Sequence, residues 1–193
     1  MRKQKSAPEE IPQLEGYSTE KRTVSILAAN IWALVVLAAM GIVGFVLIYR
    51  FYAPLRFSLL LGGPLILAFL LGIVVHELIH GFTWMWATHS GFKHLRFGLM
   101  TGAVYCHIDV PMRKRAYVAG ALMPLILLGL LPYVVSFFIG SLWLMLFGTM
   151  LSAAAMGDVM IVWTIRHESP DALVYDHPSE AGCLVYHKIN SES

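Results

Sequence analysis

The chain has 193 residues, the size of one ordinary domain, yet 58% are hydrophobic, 13% are charged, and the mean hydropathy is +0.67. Soluble domains carry about 25% charged residues, so this composition excludes a water-exposed globule and disorder, and two cysteines cannot make a disulfide scaffold. The formal net charge is only +2, and no basic cluster is interleaved with aromatics, so nothing points to nucleic-acid binding.

In chain order, residues 1–22 are polar, of mixed charge and interrupted by Pro8 and Pro12, which predicts a mobile cytosolic N-terminal arm. The arm is too long and acidic for a signal peptide, and is expected to be retained. The first apolar run, 23–49, is long enough to cross a bilayer core of about 30 Å at about 1.5 Å per residue. A loop broken by Pro54 leads to a second run, 57–88, which exceeds one span and carries Pro64 where it can bend. Residues 92–110 hold two short runs on either side of Thr101-Gly102 and predict a β-hairpin. From Ala116 to Ile165 the chain is apolar with one charge, Asp158, and Gly140-Ser141 divides it into spans 116–139 and 141–165. Pro124 is a site for a kink or an opening in the third span. Residues 167–193 are polar and read first as a solvated cytosolic tail; the alternative is that 176–187 docks on the hairpin or gates the site, with Asp176-His177 touching the metal region. The expected fold is therefore an all-α membrane protein: a transmembrane domain over 23–166 with four helices and a cytosolic β-hairpin between helices 2 and 3.

The Lys and Arg residues set the orientation. The arm, the hairpin loop and the tail hold twelve of them (five, five and two), against only Arg50 and Arg56 in the loops of the other side. Both termini of this multi-pass protein are expected in the cytosol. Cys106 and Cys183 then face a reducing compartment, where a disulfide is not expected.

Ionisable side chains inside a membrane are costly and mark function. The spans hold four: His76, Glu77 and His80 in the second and Asp158 in the fourth. His76-Glu77-Leu78-Ile79-His80 is an H-E-x-x-H pattern. On a helix, residues four apart share a face, so both imidazoles can grip one Zn²⁺ at about 2.0–2.1 Å. Glu77, turned about 100° away, reaches a water on the metal rather than the metal itself. A catalytic zinc takes a third protein ligand and keeps one open position. Asp158 lies eight residues before Arg166 and His80 eight before Thr88, so both are about 12 Å from the cytosolic edge. The small residues Ser152-Ala153-Ala154-Ala155, with Gly72 and Gly81 bracketing the histidines, allow the close helix approach that a short aspartate needs. The plain alternative is a His–Glu–Asp hydrogen-bonded network that only locks two helices. His94 and His107, in a polar loop, are expected to be exposed or locally hydrogen-bonded. Trp84 and Trp86 read as an interfacial belt, and Asn30 as a donor for an interhelical hydrogen bond.

With these residues in view, the chain resembles the putative zincin peptidases, a family of small multi-span membrane proteins. The resemblance rests on Pro12…Tyr17, Asn30-Ile31-Trp32-Ala33-Leu34, the histidine motif at 76–80, Tyr105-Cys106-His107, Pro124, Gly157-Asp158, and Asp176-His177-Pro178…Gly182-Cys183. More distantly it is similar to the site-2 protease clan, whose three-span core carries H-E-x-x-H on its first span and a zinc-binding aspartate on its third. The likeness implies metal ligands His76, His80 and Asp158, with Glu77 as the base. The clan's Leu-Asp-Gly setting is replaced here by Met156-Gly157-Asp158.

The expected activity is that of a zinc metallopeptidase with one Zn²⁺ per chain. It would cut a membrane-anchored or membrane-proximal protein substrate within or next to the lipid bilayer, through zinc-activated water with Glu77 as general base. The hairpin would offer a strand edge to an extended substrate. The rival reading is a metal-ion or proton transporter or sensor using the same cluster. It lacks polar residues leading from the site to the outer face in the second and fourth spans.

Overall fold

The computed structural model describes residues 11–52, 62–100, 103–178 and 180–189. The arm before residue 11, the loop with Pro54 and Arg56, the start of the expected second span, the turn Thr101-Gly102 and the end of the tail lie outside the described residues. Four described helical segments are long and apolar enough to cross a membrane: Ile26–Tyr52, Gly62–Thr88, Lys114–Ile139 and Leu142–Thr164. The first two are α1 and α2. The third joins α3 (Lys114–Pro124), a π-helical stretch (Leu125–Leu130) and α4 (Leu131–Ile139). The fourth joins α5 (Leu142–Ala154) and α6 (Met156–Thr164). A helix thus covers each stretch expected to span, with its described ends displaced by a few residues at most.

Their side chains are arranged for an apolar surround. Of the α1 residues only Gly44 and Ile48 are buried, while Ile26, Leu27, Leu34, Ile42 and Phe51 are exposed. So wide an exposed apolar surface suits contact with lipid better than with water. Pro124 has no N–H to donate, and the helix widens directly after it, as a proline inside a helix invites. Gly140, with φ 64°, takes the left-handed conformation that ends α4, and the Ser141 hydroxyl then caps α5 by accepting the Leu144 N–H at 3.2 Å. That pair is the expected break.

Helix α5 is the hub. Glycines let its neighbours come close: a Cβ on Gly44 of α1 would stand 2.7 Å from Met145 Sδ, and one on Gly72 of α2 2.8 Å from Leu151. Its own Gly148 lies against the α4 backbone at Tyr133. Past α5 the helix loses regularity at Ala155 (ψ 4°), so α6 begins only two residues before Asp158.

Two small sheets accompany the helices. β2 (Leu95–Met100) and β3 (Ala103–Ile108) pair antiparallel, with Phe97 opposite Cys106, as expected of 92–110. The second sheet was not expected and corrects the all-α reading. Its antiparallel order is β1-β6-β5-β4: β1 (Tyr17–Thr23), β4 (Met112–Arg113), β5 (Leu173–Asp176) and β6 (Gly182–Lys188). Residues 17–22 of the supposed arm are therefore strand, paired along β6, and the supposed solvated tail is packed. Val174, Cys183 and Val185 face one cluster with Trp84, Ile108, Tyr117 and Ile165. Tyr175, Leu184 and Tyr186 face another with Leu14 and Tyr17. Both faces of β6 are covered, so its run Cys183-Leu-Val-Tyr186 reads apolar throughout rather than alternating.

Candidate metal centre

His76 and His80 stand one turn apart on α2, both buried, with ring centroids 4.7 Å apart and nearly perpendicular. The irregularity at Ala155 starts a new helix whose first turn carries Asp158 toward them, where the partial positive charge of a helix N-terminus favours a carboxylate. Asp158 Oδ2 lies 3.1 Å from His76 Nε2 and 3.5 Å from His80 Nε2, and the two Nε2 atoms are 3.0 Å apart. The three side chains form a group able to hold a metal ion.

The His80 tautomer fits a cation. His80 Nδ1 sits 2.9 Å from the Gly120 carbonyl, which can only accept, so Nδ1 carries the proton and Nε2 presents its lone pair to the centre. A lone pair and a carboxylate oxygen converging on a third ring nitrogen are poorly satisfied by protons alone. Donor atoms about 2.0–2.1 Å from a tetrahedral zinc stand about 3.3–3.4 Å apart, and the observed triangle of 3.0, 3.1 and 3.5 Å brackets that edge. Two imidazoles and one carboxylate are also a donor set that zinc accepts.

Behind His80 the packing is aromatic. Trp84 stacks on it at 5.1 Å, and Tyr117 stacks on Trp84 at 5.5 Å. The Trp84 N–H donates to the Tyr117 carbonyl at 3.0 Å. A side chain on Gly120 would run into the indole, so glycine there lets α3 bring its carbonyl to His80. Trp84 is thus 4% exposed and no part of an interfacial belt, whereas Trp86 is 78% exposed. The spacing held a clue, since Trp84 follows His80 by four residues, as His80 follows His76.

Glu77 is held from another direction. Its Oε2 accepts the backbone N–H of Cys106 at 2.8 Å. β3 therefore lies along α2 rather than standing off from it; a Cβ on Gly81 would meet Cys106 Sγ at 2.6 Å. Glu77, His80 and Asp158 border one cavity of about 210 Å³, with Tyr105, His107, Gly157, the last residue of β5 (Asp176), the first of β6 (Gly182) and His177, Pro178, Glu180 and Ala181 among its walls. The unexpected sheet thus forms part of the site. His107, expected to be exposed or bonded locally, is 1% exposed and bonded across the fold to Asp176. No local sequence signal marks that pairing. His94 does bond locally, to Asp109 at 2.6 Å. Asn30 is exposed on α1 and borders a groove of about 370 Å³ with Phe69 of α2 and Met150 of α5.

The four helices are long and apolar enough for a membrane protein, and His76, His80 and Asp158 form a group that could hold a metal ion. More particularly, the family described as putative zincin peptidase matches residues 69–173, more than half of the chain, and the chain belongs to that family. The match runs from within α2 to the first residue of β5, and so includes His76, Glu77, His80 and Asp158. No curated protein and no solved structure matches the chain.

Proposed function

We propose that this protein is a zinc-dependent, membrane-embedded peptidase that hydrolyses peptide bonds within or next to the bilayer. The observation that carries the reading is the convergence of His76, His80 and Asp158 in a zinc-sized triangle, with Glu77 bordering the same cavity as His80 and Asp158. Family membership supports the metallopeptidase part. Bound zinc, held by those three side chains, would supply Lewis acidity toward a carbonyl and toward water. The chain's own residues do the rest. Gly120 fixes the His80 tautomer. The Cys106 N–H fixes the Glu77 carboxylate, which takes a proton from the attacking water and returns it to the leaving amine nitrogen. The cavity admits that water. The Lys and Arg distribution supports a topology with both termini on the cytosolic side. The contact of β3 with Glu77, well inside α2, supports a hairpin that extends from the cytosolic side into the apolar layer. Elemental analysis of the purified wild type should find close to one zinc per chain. A folded protein without tightly held metal would overturn the reading.

The substrate is a membrane-anchored or membrane-proximal protein, and it must be extended to expose a scissile bond. β2 offers an edge for it. The Cys106 N–H points to Glu77, not to β2, and opposite residues in an antiparallel pair share their hydrogen-bonding direction. Phe97, opposite Cys106, therefore turns its own N–H away from β3. Phe97→Pro removes that outward donor and leaves the hairpin's internal bonds intact. Cleavage should fall about tenfold or more, the scale of losing strand-to-strand hydrogen bonds, with zinc content unchanged. Unaltered cleavage would rule out docking on this edge.

A further inference from the structure

We infer that His107 and Asp176 are positioning residues: the C-terminal sheet holds β3 through them, and β3 in turn holds Glu77. This rests on the reading of Glu77 as the base. The Glu77 carboxylate accepts its hydrogen bond from a backbone N–H, that of Cys106, so its place depends on where β3 lies. The next residue, His107, is the buried clamp. Its Nδ1–H donates to Asp176 Oδ2 at 3.1 Å, while the Tyr117 hydroxyl donates to Asp176 Oδ1 at 3.2 Å. Both carboxylate oxygens are engaged, one by the hairpin and one by α3.

Asp176 therefore stands behind both halves of the site. One arm runs through His107 and the Cys106 amide to Glu77. The other runs through Tyr117 and the stacked Trp84 to His80. Asp176 ends β5, whose partner β6 pairs along β1, so the segment on either side of α1–α6 is anchored to the other. Charge-assisted hydrogen bonds in a buried setting are strong and directional, which suits fixing a strand against a helix. His107 borders the same cavity as Glu77.

The test needs no substrate. Cys106 and Cys183 are free and buried, and burial pushes both thiols up to about 12. Both should resist alkylation by N-ethylmaleimide in the full-length wild type. Peptide-resolved mass spectrometry then reads Cys106 labelling, and hydrogen exchange reads its amide. In His107→Ala, Cys106 labelling and amide exchange should each rise about tenfold or more, the scale of losing one charge-assisted hydrogen bond. Asp176→Ala should reproduce this. His107→Asn keeps an N–H near the Nδ1 position and should return both readouts to near wild type. Zinc content should stay at the wild-type level throughout. Protection of Cys106 in both alanine variants would overturn the inference, as would His107→Asn behaving like His107→Ala. Loss of zinc together with labelling of both cysteines would also overturn it, by showing a general structural role. Zinc in the wild type is measured separately, so its absence would count against the peptidase reading and not against the clamp.

Discussion

Asp158→Ala is expected to release the metal. With the carboxylate gone, only His76 and His80 remain, both on α2, and two ligands on one helix do not enclose an ion. Changes to groups that merely orient metal ligands cost about 10–100-fold in affinity, so losing a ligand should cost more than about 100-fold. Zinc per chain should then fall from near one to near zero after dialysis against a weak chelator. The change empties space beside two buried imidazoles, and the fold is anchored elsewhere by α5 and the sheet. Helix content should therefore survive, and circular dichroism checks it. Asp158→Asn sharpens the result. It keeps the side chain's size and an acceptor oxygen but removes the charge, and should hold zinc less tightly than wild type and more tightly than alanine. If the cluster were only a hydrogen-bonded lock between α2 and α6, wild type would carry no zinc, and the alanine variant would show only a lower unfolding temperature.

The parts of this centre that could be read from the sequence are those fixed by helix geometry. Residues four apart on a helix must share a face, so His76 and His80 converge wherever the second span lies. Equal distance from the ends of their apolar runs put Asp158 level with His80, and the structure places its Oδ2 within 3.5 Å of both rings. Gly140-Ser141 was legible because few residues other than glycine accept a positive φ and serine is a good cap. The break at Ala155 was not. Alanine carries no breaking signal, and nothing local shows that the helix restarts before Asp158.

The four-stranded sheet was hidden for a different reason. β1 and β6 pair residues more than 150 apart in sequence, as Tyr17 with Lys188, and no local period encodes such a partner. β1 is also mostly polar and exposed, as an outer strand can be. β5 and β6 did carry a signal, in Leu173-Val-Tyr and Cys183-Leu-Val-Tyr on either side of a connection that contains Pro178. Read as tail composition, those short apolar runs were outweighed by their charged neighbours. His107 follows from this. Its partner Asp176 lies on that sheet, so a reading that dissolves the sheet leaves His107 in a loop.

Glu77→Gln is the complementary experiment, expected to abolish hydrolysis while keeping the metal. Glutamine has the shape of glutamate, and its carbonyl oxygen can accept the Cys106 N–H as Oε2 does. What it cannot do is take a proton. General-base catalysis is worth about 10²–10⁴-fold, and the cleavage rate should fall by that range, measured with a quenched-fluorescent peptide library on protein in lipid nanodiscs. Zinc should remain near one per chain, because Glu77 is outside the triangle of His76, His80 and Asp158. Together the two substitutions separate the roles: Asp158→Ala loses metal and activity, whereas Glu77→Gln loses activity alone. A transporter built on the same residues gives another pattern, with no hydrolysis in the wild type and metal uptake into proteoliposomes that depends on Asp158. Full hydrolysis by Glu77→Gln would remove Glu77 as the base. It would also remove the functional consequence of the Cys106 amide, since a side chain that moves no proton needs no such fixed seat.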